Sequence, residues 1–199
     1  MTPKLKVLLA VTGLLLAADQ ATKIWTVQTH TGPRDRVIVI DGWLEFVHAE
    51  NPGAAFSAFA DVSQAFRLAM FGTFTVVALF ALIQMFRQLG ANERLRAASI
   101  GLILSGALGN AIDRVYKQSV TDMVKMAWGA EGAVKDWLIA QFGTNVWPVW
   151  NIADAAILIG VGMFLLEYFF EKDQKTQEDP GENPMNRSEE AADRQARAG

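Results

Sequence analysis

Four long apolar stretches govern what this chain can become. A helix needs roughly 20 mostly apolar residues to cross a bilayer core. Stretches at about 4–25, 66–86, 97–113 and 149–170 meet or approach that length, with runs such as VLLAVTGLLLAA, VVALFALIQMF and AAILIGVGMFLLEYFF. They are too long and too continuous for surface helices of a globular domain, which would show one apolar stripe. The fold class this predicts is an all-α membrane protein of four transmembrane helices spanning 1–170, with outer loops 26–65 and 114–148. The N-terminal run, with Lys4 and Lys6 before it, also fits a secretory signal peptide. No A-x-A site precedes Asp19, and the run continues into DQATKIW, so it reads as an uncleaved first helix.

Charge sets the expected orientation. Lys4 and Lys6 precede the first span, and Arg87, Arg94 and Arg96 crowd the short second loop. Loop 26–65 holds only Arg34 and Arg36 against five acids. The positive-inside rule then places both termini and the short loop in the cytoplasm and the two long loops outside. Residues 171–199 carry 5 Lys/Arg and 8 Asp/Glu and no aromatic residue, which predicts a disordered cytoplasmic tail. With that tail set apart, the body is charge-neutral and has no basic patch, so nucleic acid is not an expected partner. Cysteine is absent, which removes thiol nucleophiles, disulfides and thiolate metal sites. The two histidines, His30 and His48, read as surface or hairpin residues, and neither a metal nor a cofactor is expected.

The outer loops carry local signals. Asp41-Gly42 between the β-branched and aromatic runs 36–40 and 43–48 predicts a hairpin with a type I′ turn. Residues 129–142 predict a short interfacial helix with Trp137, Leu138 and Phe142 toward lipid.

Ionisable residues inside membrane spans are costly, so each is a functional candidate. Under this topology they gather at the outer ends of the spans: Asp19 and Lys23, Asn110, Asp113 and Arg114, then Asn151 and Asp154, with Asp122 in the loop. Each has a plainer reading too. Asp19 and Lys23 stand i,i+4 and make an intrahelical ion pair. Asp113 and Arg114 snorkel to the interface. Asn151 caps the last span, and Asp154 complements its dipole. Asn51-Pro52-Gly53 forms a turn. Gly101, Gly106 and Gly109 let helices approach closely. No G-x-S-x-G motif supports a serine hydrolase. Asp122 and Asp154, free of ion-pair spacing, could share one proton if the fold brought them together, which is the chemistry of an aspartic peptidase.

Five ordered segments carry a family resemblance: Asp19-Gln-Ala-Thr-Lys23, Asn51-Pro-Gly-Ala-Ala-Phe-Ser57, Gly106-Ala-Leu-Gly-Asn110-Ala-Ile-Asp113-Arg114, Val120-Thr-Asp122-Met and Trp150-Asn151-Ile-Ala-Asp154. Together they resemble the motifs of bacterial lipoprotein signal peptidase (signal peptidase II). The resemblance implies a multi-pass inner-membrane aspartic endopeptidase, and a monomer is the expected state. It would remove signal peptides from prolipoproteins by cutting just before a diacylglyceryl-modified cysteine, near the periplasmic leaflet. Its partners would be those precursors and membrane lipids. It implies Asp122 and Asp154 as the catalytic pair and Asn51, Gly53, Asn110, Asp113, Arg114 and Asn151 as substrate-binding or supporting residues. Asp19 and Lys23 would stabilise the fold beside the site. Pro52, Thr121 and Met123 depart from the family pattern, and the stretch between Asp122 and Asn151 is longer than usual. The alternatives are a small proton-coupled transporter, which would string acids along the bundle, and a non-catalytic membrane scaffold glued by polar residues.

Overall fold

A computed structural model describes residues 1–32, 35–53, 62–128 and 131–178. The motif residues Ala54–Ser57 and the tail from 179 onward lie outside the described residues. In chain order the elements are α1 (Pro3–Thr29), β1 (Val37–Ile40), β2 (Leu44–Asn51), α2 (Gln64–Gln88), α3 (Arg94–Lys117), β3 (Val120–Met126), α4 (Ala133–Phe142) and α5 (Ile152–Glu178). The chain forms two compact units, Met1–Gly160 and Val161–Gly199, and the described part of the second is the continuing helix of α5.

Among the described residues, four helices are long and apolar enough to cross a membrane: α1, α2, α3 and residues Ile152–Phe170 of α5. Their surfaces are inverted relative to a soluble bundle. Leu14, Val76, Phe80 and Leu158 are each more than 60% exposed, while Asp19, Lys23, Ser105, Asn110 and Asp113 are buried. Apolar residues outward and polar residues inward suit a hydrocarbon solvent, in which helices gain nothing by burying leucine and associate through close packing and hydrogen bonds. The chain is therefore a multi-pass membrane protein.

Small residues make the close packing. On α3, Gly101 lies against the Leu8 carbonyl of α1, and Thr12 donates to Gly101 O at 3.2 Å. At the N-terminus of α1, Lys4 Nζ donates to the Phe86 and Leu89 carbonyls at the C-terminus of α2, where the helix dipole favours a cation. This ties the start of α1 to the end of α2, above a small cluster of Leu8, Leu82 and Ile100.

Three strands form an antiparallel sheet in the order β1-β2-β3. The expected hairpin is present, but its turn differs from expectation. Ile40 pairs with Leu44, which leaves a three-residue loop, Asp41–Trp43, with positive φ at Gly42 alone. A type I′ turn needs two such residues. Trp43 is drawn out of the hairpin ladder because its carbonyl accepts from Ala127 N–H at 2.9 Å and its ring meets Trp128 edge-on. The strand β3, not foreseen as a strand, pairs with β2 in a register that sets Asp122 opposite Ala49 and Val120 opposite Asn51.

Two further differences concern ends and burial. The last helix runs to Glu178, past the expected boundary at 171. Glu, Lys and Gln are good helix formers, so polarity there does not stop the helix. His30, expected at the surface, is buried at the C-cap of α1, with its ring 5.2 Å from Trp25.

Candidate active site

The site grows from the first turn of α5. Asn151 Oδ1 accepts the Asp154 N–H at 3.0 Å, and Asp154 Oδ2 accepts the Asn151 N–H at 3.3 Å. This reciprocal capping box fixes the Asp154 side chain at the helix start, where the dipole also favours a carboxylate. Another N–H of that turn with no partner within the helix, the buried Ala153 N–H, goes to Asp19 Oδ1 of α1 at 3.0 Å. The helix end is thus capped by its own chain and by a residue 134 positions earlier.

Close approach makes that cap reachable. A methyl group on Gly106 would overlap the Ala153 carbonyl, and one on Gly109 would overlap Asp19 Oδ2. The reading of these glycines as spacers is met at both positions.

Asp19 also pairs with Lys23 at 2.9 Å, as the i,i+4 spacing predicts. Lys23 reaches further, to Asp113 Oδ2 at 3.4 Å and to Asn110 Oδ1 at 3.1 Å, although it is only 1% exposed. A buried ammonium needs such partners, since an unpaired one costs several kcal/mol, roughly. Asp113 in turn accepts the Thr121 N–H at 2.9 Å and pairs with Lys117 at 3.3 Å, which anchors β3 at the residue before Asp122. Asp113 is buried and does not snorkel.

Asp122 and Asp154 come together through amides. Asn151 Nδ2 donates to Asp122 Oδ1 at 2.6 Å, and Asn51 Nδ2 donates to Asp122 Oδ2 at 3.1 Å. Asn110 Nδ2 donates to Asp154 Oδ1 at 2.8 Å. Each amide can turn only its N–H side toward a carboxylate, because its oxygen is held by another donor. Gly53 N–H holds Asn51, Lys23 holds Asn110, and Asp154 N–H holds Asn151. Gly53 sits at φ +95°, and a side chain there would run into the Phe71 ring. Arg114 covers that same ring at 4.5 Å and donates to the Asn110 carbonyl.

Burial, aided by the charge of Asp154, pushes the Asp122 carboxyl up to about 6, against the hydrogen bonds from Asn51 and Asn151. Asp154 is less enclosed and borders an apolar cavity of about 410 Å³ walled by Met126, Trp128, Trp147, Trp150, Leu158 and Ile159. A pocket of that size and lining suits an apolar chain.

Glu50 was not singled out in the sequence, although it directly precedes Asn51. It accepts hydrogen bonds from Thr121 at 3.0 Å and from Ser119, and sits against His48. Burial pushes its carboxyl up, but those hydrogen bonds and the Lys117 charge outweigh it and hold the group below its ordinary value. It holds the Thr121 side chain of β3, while Asp113 holds the Thr121 N–H.

Four helices long and apolar enough to span a membrane, with two carboxylates and three pinned amides gathered beside an apolar cavity, define a polytopic membrane protein with a polar site. Comparison with known proteins makes the assignment specific. The family described as signal peptidase (SPase) II matches residues 11–170. A lipoprotein signal peptidase of Geobacter sulfurreducens is 37% identical over 175 residues, covering 88% of this chain and 99% of that protein. One from Serratia marcescens is 36% identical, covering 87% and 91%. A solved bacterial membrane enzyme, determined by the in meso method at 2.3 Å resolution, matches with a TM-score of 0.68 at 26% identity, covering 84% of this chain and 90% of its own. The chain belongs to the signal peptidase II family and is a peptidase.

Proposed function

We propose that this peptidase is an aspartic endopeptidase of the bacterial inner membrane. It removes signal peptides from prolipoproteins by hydrolysis just before a diacylglyceryl-modified cysteine. The substrate class follows the lipoprotein signal peptidases that the chain resembles over most of its length. The observation that carries the catalytic type is the double engagement of Asn151. Its side-chain N–H holds Asp122, while its oxygen and its backbone N–H hold Asp154.

Two carboxylates that share the Asn151 side chain and feel each other's charge favour one shared proton, because ionising both sets like charges against each other. Asp122, with its raised pKa, is the member that carries the proton and donates it to the scissile carbonyl oxygen. Asp154, at the edge of the cavity, takes a proton from the attacking water. The amides of Asn51, Asn110 and Asn151 fix the two carboxylates before substrate arrives, so little reorganisation is needed at the barrier. Arg114 and Gly53 shape the approach beside Phe71, and Asp113, Asp19 and Lys23 hold β3, α3 and α5 in register. Both termini are cytoplasmic, and the site lies at the periplasmic leaflet, where a lipid-bearing peptide enters sideways from the bilayer.

The test is cleavage of a diacylated prolipoprotein by the purified full chain, with the product mapped by mass spectrometry. A single cut just before the modified cysteine is expected, with the unlipidated precursor left largely intact. Equal turnover of both precursors, or no cleavage of either, would overturn the reading.

A further inference from the structure

The long segment between Asp122 and Asn151 carries a feature that the catalytic arrangement does not use. Its two ends are zipped together. The Trp128 N–H donates to the Asn145 carbonyl at 2.9 Å, the Trp147 N–H to the Met126 carbonyl at 2.9 Å, and Ala127 bridges to Val146. Above this neck stands α4, a ten-residue helix with no buried residue and only two charges, Lys135 and Asp136. Val134 is 63% exposed, Trp137 57% and Phe142 67%. Val134 and Trp137 share a face three residues apart, and the Trp137 and Phe142 rings meet edge-on at 6.0 Å. An apolar helix without a partner in water would lose the hydrophobic stabilisation that normally holds a short helix.

The neighbouring surface identifies the cover. The cavity beside Asp154 has Trp128 and Trp147 of the neck on one side, and on the other Leu158 and Ile159, exposed residues of the α5 span. The apolar surface therefore runs from a membrane-crossing helix onto the neck that bears α4. Tryptophans gather at that level, with Trp43 against Trp128, as they do where protein meets the headgroup region. A helix this short cannot cross a bilayer but can lie in its interface.

We infer that α4 is seated in the lipid interface and, through the neck, holds Trp128 and Trp147 as the fixed outer wall of the cavity beside Asp154. This rests on the peptidase reading in one respect: the wall is taken to guide an apolar, membrane-borne substrate toward the carboxylates. Seating of α4 itself is independent of catalysis and is measured separately.

Because the chain has no cysteine, single cysteines at 134, 137, 142 and 136 can carry a spin label in the full protein, reconstituted in phosphatidylethanolamine–phosphatidylglycerol vesicles. Collisions with oxygen report lipid, and collisions with a water-soluble nickel chelate report solvent. Labels at 134, 137 and 142 are expected to favour oxygen, with 136 favouring nickel. Nickel dominance at all four positions would overturn the seating. So would dipolar coupling between labels on separate copies, which would show a second chain as the cover. Replacing Trp137 and Phe142 together by Gln is expected to raise KM for a diacylated precursor in vesicles several-fold with kcat unchanged. An unchanged KM would overturn the link to the cavity, while inactivity of the unsubstituted protein toward any precursor would instead count against the peptidase reading.

Discussion

The Asn151 side chain donates to Asp122 Oδ1 at 2.6 Å while its oxygen accepts the Asp154 N–H. One residue thus fixes the start of α5 and the carboxylate of β3 in a single geometry. Asn151→Ser keeps a competent helix cap but is too short to reach Asp122. A lost hydrogen bond to a charged acceptor is worth about 1.5–3 kcal/mol. The expected result is a fall in kcat/KM of about ten- to a hundredfold with near-normal folding. Steady-state kinetics beside circular dichroism would check it, and full activity in the Ser variant would refute the shared role.

Asp122→Asn and Asp154→Asn should each lower kcat by at least about 10²-fold, the usual worth of a positioned acid or base. The double variant should lose little more, because both residues serve one step. Asp113→Asn can still accept the Thr121 N–H, and it is expected to retain measurable turnover. Wild-type turnover in Asp122→Asn would transfer the role elsewhere, with Asp113 the next candidate.

Stability should depend on pH through Asp122. Its carboxyl titrates at about 6 in the fold against an ordinary 3.8, so the folded state holds the extra proton between these values. The stability this contributes is complete below about pH 3.8 and is lost as pH rises through about 6, about 3 kcal/mol in all. Thermal unfolding in detergent from pH 3.5 to 7, spanning roughly both pKa values, should show a steeper decline in the natural chain than in Asp122→Asn. Parallel curves would show that the residue is not perturbed as described. In activity, loss of the shared proton should give kcat/KM a descending limb that begins near the same pH.

Gly109→Ala should displace Asp19 from the Ala153 N–H, because the added methyl overlaps the Asp19 carboxylate. Overpacking of this kind costs about 1–3 kcal/mol, and turnover should fall with it as the start of α5 loosens. Gly72→Ala on α2, where a methyl group meets open space, is the control. It is expected to be neutral or slightly stabilising, since alanine is the better helix former. Equal effects at both sites would rule out the spacer role of Gly109.

Orientation can be read by labelling. A membrane-impermeant thiol reagent applied from outside should modify Glu45→Cys on β2 and spare Ala91→Cys in the loop between α2 and α3. The reverse pattern would invert the topology.

The sequence by itself determined what depends on near neighbours. Unbroken apolar runs specify membrane helices, because lipid rewards them whatever the rest of the chain does. The Asp19–Lys23 pair and the Asn151–Asp154 cap lie within one helical turn, so their spacing alone predicts contact. Asp41-Gly42 marked a hairpin, but Trp43, held by Ala127 and Trp128, decided which turn closed it. The tertiary structure alone decided the reach of Lys23 to Asn110, 87 residues away, and of Asp19 to Ala153. It also decided the pairing of β3 with β2 that presents Asp122 to Asn51. Hydropathy has no azimuth: it says that a helix lies in the membrane, but not which of its faces meets another helix. Hydrogen bonds are directional, and their partners are chosen only when packing at Gly106 and Gly109 has set how closely the helices approach.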